Sequence, residues 1–332
     1  MSAVFQEVFP VSGVDGDANP VGMIVPAGGS NIVRLAGGKG LQLQAPRTLK
    51  IEEVPPPSLP VLLTLLLLPI SVALLTLKRV GIIGPAAPDD TRYIRISAST
   101  PSARAPAQVQ AVRAGSSKPE AVLKVAVLKR RKVRVSIRPV QVRSPQGGLV
   151  FHSKKPFDPK AMVEQMNAIW TPQANVAFEL VSSDPAQILD RAEIASILDL
   201  KMSKDATLPS MVVLQRFVDV FTRLKDKNAE LTMFLVESAG DLRDPRVLYS
   251  HAKVVNGITD PALGVSLISD ARTSHRELMA HEAGHFIGSH TGRDGNFMSF
   301  PDKGGMRDLM QDGGSEIARV RYQDVIEHFN RP

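Results

Sequence analysis

The sequence predicts two domains of different architecture, an all-β domain followed by a mixed α/β domain. Three observations support this prediction. The chain has 332 residues, a length that suits two domains. The excess of positive over negative charge is confined to one half, because residues 1–150 hold 19 Lys and Arg against 8 Asp and Glu, whereas residues 151–332 hold 21 against 25. Short, closely spaced strand patterns also give way to alternating strands and helices near residue 129.

The composition is that of a folded protein, and it excludes several kinds of site. Hydrophobic residues make up 43% of the chain and charged residues 22%, so a normal core can form. The chain has no cysteine. Disulfide scaffolds, thiol nucleophiles and sulfur-ligated zinc sites are therefore excluded.

Residues 1–19 are interpreted as an N-terminal tail. They contain no Lys or Arg and no sustained apolar run, so a conventional secretory signal peptide is not expected. The most apolar segment of the chain is residues 61–77, VLLTLLLLPISVALLTL. Its length is at the short end of the range for a membrane span, and it contains Pro69. Two core strands that meet at the proline are therefore favoured over a membrane span.

Residues 20–128 are predicted to form a β-sandwich, because short apolar runs alternate with turns rich in Gly and Pro. The stretch VPAGGSNIVRLAGG and the later strand LKVAVLK resemble the Ig-like modules attached to bacterial surface and secreted proteins. That resemblance implies an Ig-like fold for this domain. The predicted strands are residues 22–25, 31–35, 41–43, 73–77, 93–96 and 122–127.

The basic run Lys129-Arg130-Arg131-Lys132 is interpreted as a solvated linker between the two domains. A nucleic-acid site is disfavoured, because no aromatic side chain interleaves with these charges to stack on bases. A polar linker between two halves of different composition also predicts that residues 132–332 fold without residues 1–128.

Residues 129–332 are predicted to form the mixed α/β domain. The spacing of Met162, Met166, Ile169 and Trp170 places apolar side chains on one face of a helix. The predicted helices are residues 159–170, 209–224 and 322–329, and the predicted strands are residues 133–142, 176–181, 231–236 and 264–268.

The segment of residues 274–290, SHRELMAHEAGHFIGSH, carries the chemistry. Ser274 and Glu277 have the spacing of a capping box, which predicts that a helix begins there. On that helix His281 and His285 are one turn apart, so both rings project from the same face and can share a zinc ion. Glu282 follows the first histidine, where its carboxylate can take a proton from a water activated by the ion. A chain of this composition contains this pattern by chance in roughly 0.6% of cases.

The stretch HEAGHFIGSH resembles the zinc-binding consensus of the metzincin peptidases. The resemblance implies zinc as cofactor, an α/β metzincin-like peptidase fold for residues 129–332, and a third histidine ligand after a glycine turn. His290 is that candidate, although the consensus position one residue later is occupied by Thr291, whose hydroxyl is a poor zinc ligand. The substitutes with oxygen ligands are Asp294, Asp302 and Glu316.

Two further features follow from the same resemblance. Metzincins have a methionine turn beneath the metal, and Met310 in the sequence DLMQ is the first candidate, with Met298 in NFMS as the second. The family also has an edge strand before the zinc helix that pairs with the substrate backbone, and residues 263–269 are the candidate.

The expected function is that of a zinc-dependent endopeptidase that hydrolyses a protein or peptide substrate, with Glu282 as general base. Two alternatives remain open. The first is an adhesion or interaction protein that uses the Ig-like module and has an inactive peptidase domain. The second is a thermolysin-like peptidase in which Glu316 is the third zinc ligand.

The domain combination resembles that of exported bacterial peptidases and effectors. We therefore expect export without a conventional signal peptide, by a secretion machinery or as cargo of a carrier particle, and otherwise a cytoplasmic location.

Overall fold

The described part of the chain consists of many strands and few helices. In this computed structural model those residues are 3–8, 13–16, 18–56, 90–102, 105–143, 149–150, 157–188, 221–236, 257–269, 276–288, 320, 322 and 325–326. Within these ranges lie sixteen strands in three sheets and two α-helices of three turns or more. The fold class is therefore mixed α/β.

The first compact unit combines three stretches of sequence, Met1–Arg131, Asn167–Ala177 and Asn296–Pro332. Its two sheets contain four and five strands. The first sheet is antiparallel, in the order β1 (Val4–Glu7), β4 (Gly29–Ala36), β7 (Arg92–Ala98), β6 (Lys50–Val54). The second has the order β2 (Val14–Asp15), β3 (Val21–Pro26), β9 (Pro119–Leu128), β8 (Ala107–Arg113), β5 (Leu41–Gln44). In the second sheet β3 and β9 run parallel, and the other neighbours are antiparallel.

The two sheets share one hydrophobic core, which makes this part of the chain a β-sandwich. Alternate residues of each strand point into that core, as the period of two residues in a strand requires. Val33 and Leu35 do so from the four-stranded sheet, and Leu123 and Val125 from the five-stranded sheet. All four side chains are fully buried.

Most of the strands expected in this region are confirmed. The runs 22–25, 31–35, 41–43, 93–96 and 122–127 each lie within an observed strand. The expected strand 73–77, with the apolar segment 61–77 that contains it, lies outside the described residues. The likeness to Ig-like modules stays a prediction. In the described ranges no helix has the length and apolar character needed to cross a membrane.

The second compact unit combines Lys132–Met166 with Phe178–Gly295. The strands of its sheet are β10 (Arg131–Arg143), β11 (Leu149–Val150), β12 (Val176–Ser182), β13 (Ala186–Ile188), β14 (Leu231–Val236), β15 (Gly257–Asp260) and β16 (Val265–Ser269). The sheet runs in the order β11, β10, β14, β16, β15, and β12 and β13 also pair with β10. The strands β10, β14 and β16 are parallel, whereas β15 is antiparallel to β16.

Helix α1 (Pro159–Ala174) begins where the sequence predicts and extends one turn further. Asp158 caps it by accepting a hydrogen bond from the backbone N–H of Ala161 on its Oδ1, at 3.0 Å. The helix ends before Asn175, which has the left-handed φ of 52° that commonly ends a helix.

The predicted position of the substrate-binding edge strand is wrong. The sequence places residues 263–269 at that edge, but β16 lies between β14 and β15 and is hydrogen-bonded on both sides. Among the described strands, β15 occupies the edge beside it. Residues 265–268 form a continuous buried run, which is typical of an interior strand. The edge strand has only four residues, Gly-Ile-Thr-Asp, and this short sequence gives no apolar pattern.

The other expected helices are partly described. Helix α2 (Arg276–Ile287) contains the histidine motif, and its expected start at Ser274 lies outside the described residues. Of the expected helices 209–224 and 322–329, residues 221–223, 322, 325 and 326 are described and helical. The boundaries expected for the two domains, residues 20–128 and 129–332, stay a prediction. Within the expected tail of residues 1–19, strands β1 and β2 belong to the two sheets of the first unit.

Candidate metal centre

Helix α2 packs against β15 and β16 through its apolar side chains. Met279, Ala280, Ala283 and Ile287 are buried on this helix. Burying side chains as large as Met279 and Ile287 stabilises a fold by about 1.5–3 kcal/mol each. The helix ends at Gly288, whose N–H donates to the carbonyl oxygen of Gly284 at 2.9 Å.

The two histidines of the motif face each other on α2. The Nε2 atoms of His281 and His285 lie 3.2 Å apart. The ring centroids are 4.9 Å apart, and the ring planes are 80° from parallel. His285 is buried with 8% of its surface exposed, and His281 is half-buried. The two ring nitrogens therefore point toward one small region of space.

That separation fits a zinc ion. Zinc binds imidazole nitrogen at about 2.0–2.1 Å in tetrahedral geometry, which places two nitrogen ligands about 3.3–3.4 Å apart. The observed 3.2 Å is close to this value, so neither ring has to move far to share an ion. The ligand atoms of His281, Glu282 and His285 all lie within 4.8 Å of one another.

Glu282 is a buried carboxylate with a specific hydrogen-bond donor. Only 3% of its surface is exposed. The hydroxyl of Thr259 on β15 donates to Glu282 Oε2 at 2.7 Å, and the same hydroxyl lies 3.1 Å from the backbone oxygen of Glu282. Thr259 is in turn 2.9 Å from the hydroxyl of Ser266 on β16. A buried charge is costly unless it is hydrogen-bonded, and this contact supplies one of the bonds.

Three of the predicted site residues are brought together by α2, namely His281, Glu282 and His285. The predicted third ligand and methionine turn lie outside the described residues, so they stay predictions. These residues are His290, its substitutes Asp294, Asp302 and Glu316, and the methionines Met298 and Met310.

The sequence interpretation missed Thr259 and Ser266. A signal was present in the segment TDPALGVS, residues 259–266, where Pro261 and Gly264 indicate a hairpin turn. A hairpin with that turn places residue 259 opposite residue 266, and the observed register pairs these two residues.

Comparison of the chain with protein-family models, curated proteins and solved structures found no match. The chemistry of α2 and of the adjacent hairpin is therefore the basis for a functional conclusion. This chemistry combines two convergent imidazoles, a buried carboxylate next to the first of them, and a strand at the edge of the sheet that the described residues form.

Proposed function

We propose that this protein is a zinc-dependent, metzincin-like endopeptidase that hydrolyses peptide bonds in a protein or peptide substrate. The observation that carries the proposal is the 3.2 Å separation of the Nε2 atoms of His281 and His285, with the buried carboxylate of Glu282 beside them. Two imidazoles and an adjacent carboxylate on one helix are the donor set and the base that metal-assisted hydrolysis requires.

His281 and His285 would hold the ion in this proposal. When bound, zinc would supply a Lewis acid that polarises a carbonyl and lowers the pKa of a water molecule. Glu282 would accept the proton from the attacking water and later give it to the leaving amine. The hydroxyl of Thr259 donates a hydrogen bond to Oε2 of this carboxylate.

The edge strand β15 supports a peptide substrate in particular. Among the described residues β15 pairs with β16 on one side and with no strand on the other. An extended peptide can add to such an edge through backbone hydrogen bonds. Because Thr259 of β15 contacts Glu282, a peptide bound along this strand would lie next to the proposed base.

The test is a Glu282→Gln variant compared with the wild type and with His285→Ala. We expect about one zinc per chain in the wild type and in Glu282→Gln, because glutamate is the base and not a ligand in this proposal. Cleavage of an unstructured protein such as casein should fall by about 10²–10⁴-fold in Glu282→Gln. The measurements are metal analysis of the dialysed proteins and initial rates of cleavage.

His285→Ala should lose both zinc and activity, because a chelating pair is reduced to one imidazole. If Glu282→Gln holds zinc and cleaves at the wild-type rate, the proposed base is wrong. If His285→Ala keeps a full equivalent of zinc, the metal site lies elsewhere.

A further inference from the structure

Three side-chain oxygen atoms, one each from β16, β15 and α2, form a series of hydrogen-bond contacts that ends at the proposed base. Ser266 Oγ lies 2.9 Å from Thr259 Oγ1, and Thr259 Oγ1 lies 2.7 Å from Glu282 Oε2. Thr259 and Ser266 are directly opposite each other in the antiparallel pairing of β15 and β16. Ser266 is fully buried, and Glu282 is nearly so.

The hairpin turn keeps Thr259 in this place. The N–H of Gly264 donates to the backbone oxygen of Asp260 at 2.9 Å, and the N–H of Leu263 donates to Asp260 Oδ1 at 3.0 Å. Gly264 has a φ of +63°, and a Cβ there would lie 2.2 Å from the backbone oxygen of Glu230. This position therefore requires glycine, and the turn fixes the register that faces Thr259 toward α2.

The number of hydroxyl protons determines which atom donates each of these hydrogen bonds. An ionised carboxylate only accepts hydrogen bonds, and each hydroxyl carries one proton to donate. Thr259 donates its hydrogen bond to Oε2 of Glu282, which is nearer than the neutral backbone oxygen at 3.1 Å. The contact with Ser266 is then a hydrogen bond only if Ser266 donates to Thr259.

We infer that Thr259 is a positioning residue for Glu282, held in turn by Ser266, and that it orients the base from the strand that would receive the substrate. The inference rests on the proposed function. Thr259 acts through Glu282 and takes no part in the proton transfer itself. The orientation of the base therefore depends on the edge strand as well as on its own helix.

Removing this hydroxyl should impair catalysis more than substrate binding. Proton transfer depends steeply on geometry, and a displacement of about 1 Å can lower the rate by about 10²-fold. Valine has the shape of threonine without the hydroxyl, so Thr259→Val leaves the strand in place and frees the carboxylate to rotate. Serine keeps the hydroxyl, so Thr259→Ser should restore most of the rate.

The kinetic experiment compares the wild type, Thr259→Val and Thr259→Ser as zinc-loaded full-length proteins with casein-derived peptides. Thr232→Val on β14 is the matched control, because it removes the hydroxyl of another threonine of the same sheet. Thr232 is buried, and its hydroxyl accepts a hydrogen bond from the backbone N–H of Asp226 at 3.1 Å. We expect kcat to fall at least about tenfold in Thr259→Val, with KM and bound zinc within about twofold of the wild type. Thr232→Val should keep the wild-type kcat.

A second readout needs neither metal nor activity. In metal-free protein, Thr259→Val should lower the Tm by a few degrees, roughly as loss of a hydrogen bond to a charged group does. The same change should lower the Tm less in a Glu282→Ala background, because the acceptor is already gone. This double-mutant cycle measures the coupling between the two side chains directly.

The outcomes separate this inference from the proposed function. A Thr259→Val protein with the wild-type kcat, a Thr259→Ser protein impaired as strongly as Thr259→Val, or the absence of thermal coupling to Glu282 would overturn the inference and leave the proposed function standing. A wild type that binds no zinc, or a Glu282→Gln protein that is fully active, would overturn the proposed function and with it any role of Thr259 in catalysis.

Discussion

At the scale of single residues, the ring pair of His281 and His285 follows from helix geometry alone. Side chains four positions apart lie on the same face of a helix, and Glu282, which directly follows His281, lies beside the two rings. These three residues could therefore be predicted from the sequence, because the information lies within five consecutive positions. Thr259 could not be predicted in the same way, because it reaches Glu282 only through the register of a hairpin and the packing of α2 over it.

The third ligand can be identified by separate substitution of His290 and Glu316. We expect His290→Ala to lower zinc affinity at least about tenfold, because loss of one of three ligands leaves a two-point chelate. Glu316→Ala should bind zinc as the wild type does. The measurement is a competitive titration against a chromogenic chelator, with His152→Ala as control for the loss of an imidazole that the proposal does not use.

The opposite result, in which Glu316→Ala releases zinc and His290→Ala retains it, would favour the thermolysin-like arrangement. If both variants retain zinc, Asp294 and Asp302 become the candidates for the third ligand.

At the scale of secondary structure, the longer elements agree with the sequence pattern, and the short ones do not. Helix α1 and strands β10, β12, β14 and β16 were expected, because each carries several apolar residues at a consistent period. The edge strand β15 was missed because four residues are too few to establish a period. Its pairing depends on the hairpin turn and on the neighbouring strand, and neither is visible in the sequence of β15 itself.

A polar cluster between β10, β12 and the loop before β14 predicts the acid sensitivity of the second unit. Ser182 donates to Asp226 Oδ2, and the N–H of Asn228 donates to Oδ1 at 2.8 Å. The Ser182 bond, followed by the Asn228 bond, holds the pKa of Asp226 below its usual value. A lowered pKa in the folded state stabilises the protein above the unfolded pKa of about 3.9, and that contribution is lost as the pH falls through the folded pKa.

We therefore expect Ser182→Ala to destabilise the protein more at pH 7 than at pH 2.5, because the variant loses a bond to an ionised carboxylate only where that carboxylate is ionised. Urea unfolding at the two pH values gives the comparison. Ser116→Ala is the control, because the Ser116 hydroxyl contacts the backbone of Lys118 and no carboxylate, so its effect should not depend on pH. An equal loss of stability at both pH values for Ser182→Ala would contradict the assignment.

At the scale of the whole molecule, the compact units are interleaved along the sequence. The first unit takes in the end of α1 and residues near the C-terminal end of the sequence. The side-chain amide of Asn175 donates to the backbone oxygen of Leu128 at 2.7 Å, and the N–H of Tyr322 donates to Asp15 Oδ2 at 3.0 Å. Local patterns indicate which segments form strands or helices, but they contain no signal for such distant contacts.

These contacts bear on whether residues 132–332 fold independently, as the polar linker predicts. Such a fragment would keep Asn175 and Tyr322 but lose their partners in residues 1–131. We expect it to be less stable than the full chain, with no cooperative unfolding transition at the wild-type temperature. Circular dichroism melting of the purified fragment is the measurement.

Co-expression of residues 1–131 is the control, since it should restore the transition if the missing contacts are the cause. Gly22→Val in the full chain tests one contact alone, because a Cβ at residue 22 would lie 2.2 Å from Cγ of Tyr322. A fragment that melts cooperatively at the wild-type temperature would support the domain boundaries expected from the sequence.

The bond between Asp15 and Tyr322 also sets an order of events during synthesis. The two residues are 307 positions apart, so at about 5–20 residues per second a ribosome makes Tyr322 roughly 15 to 60 seconds after Asp15. Strands β1 to β9 leave the ribosome long before Tyr322 can settle against Gly22. A polypeptide whose translation stops before residue 322 therefore carries β1 to β9 without the hydrogen bond from Tyr322 to Asp15.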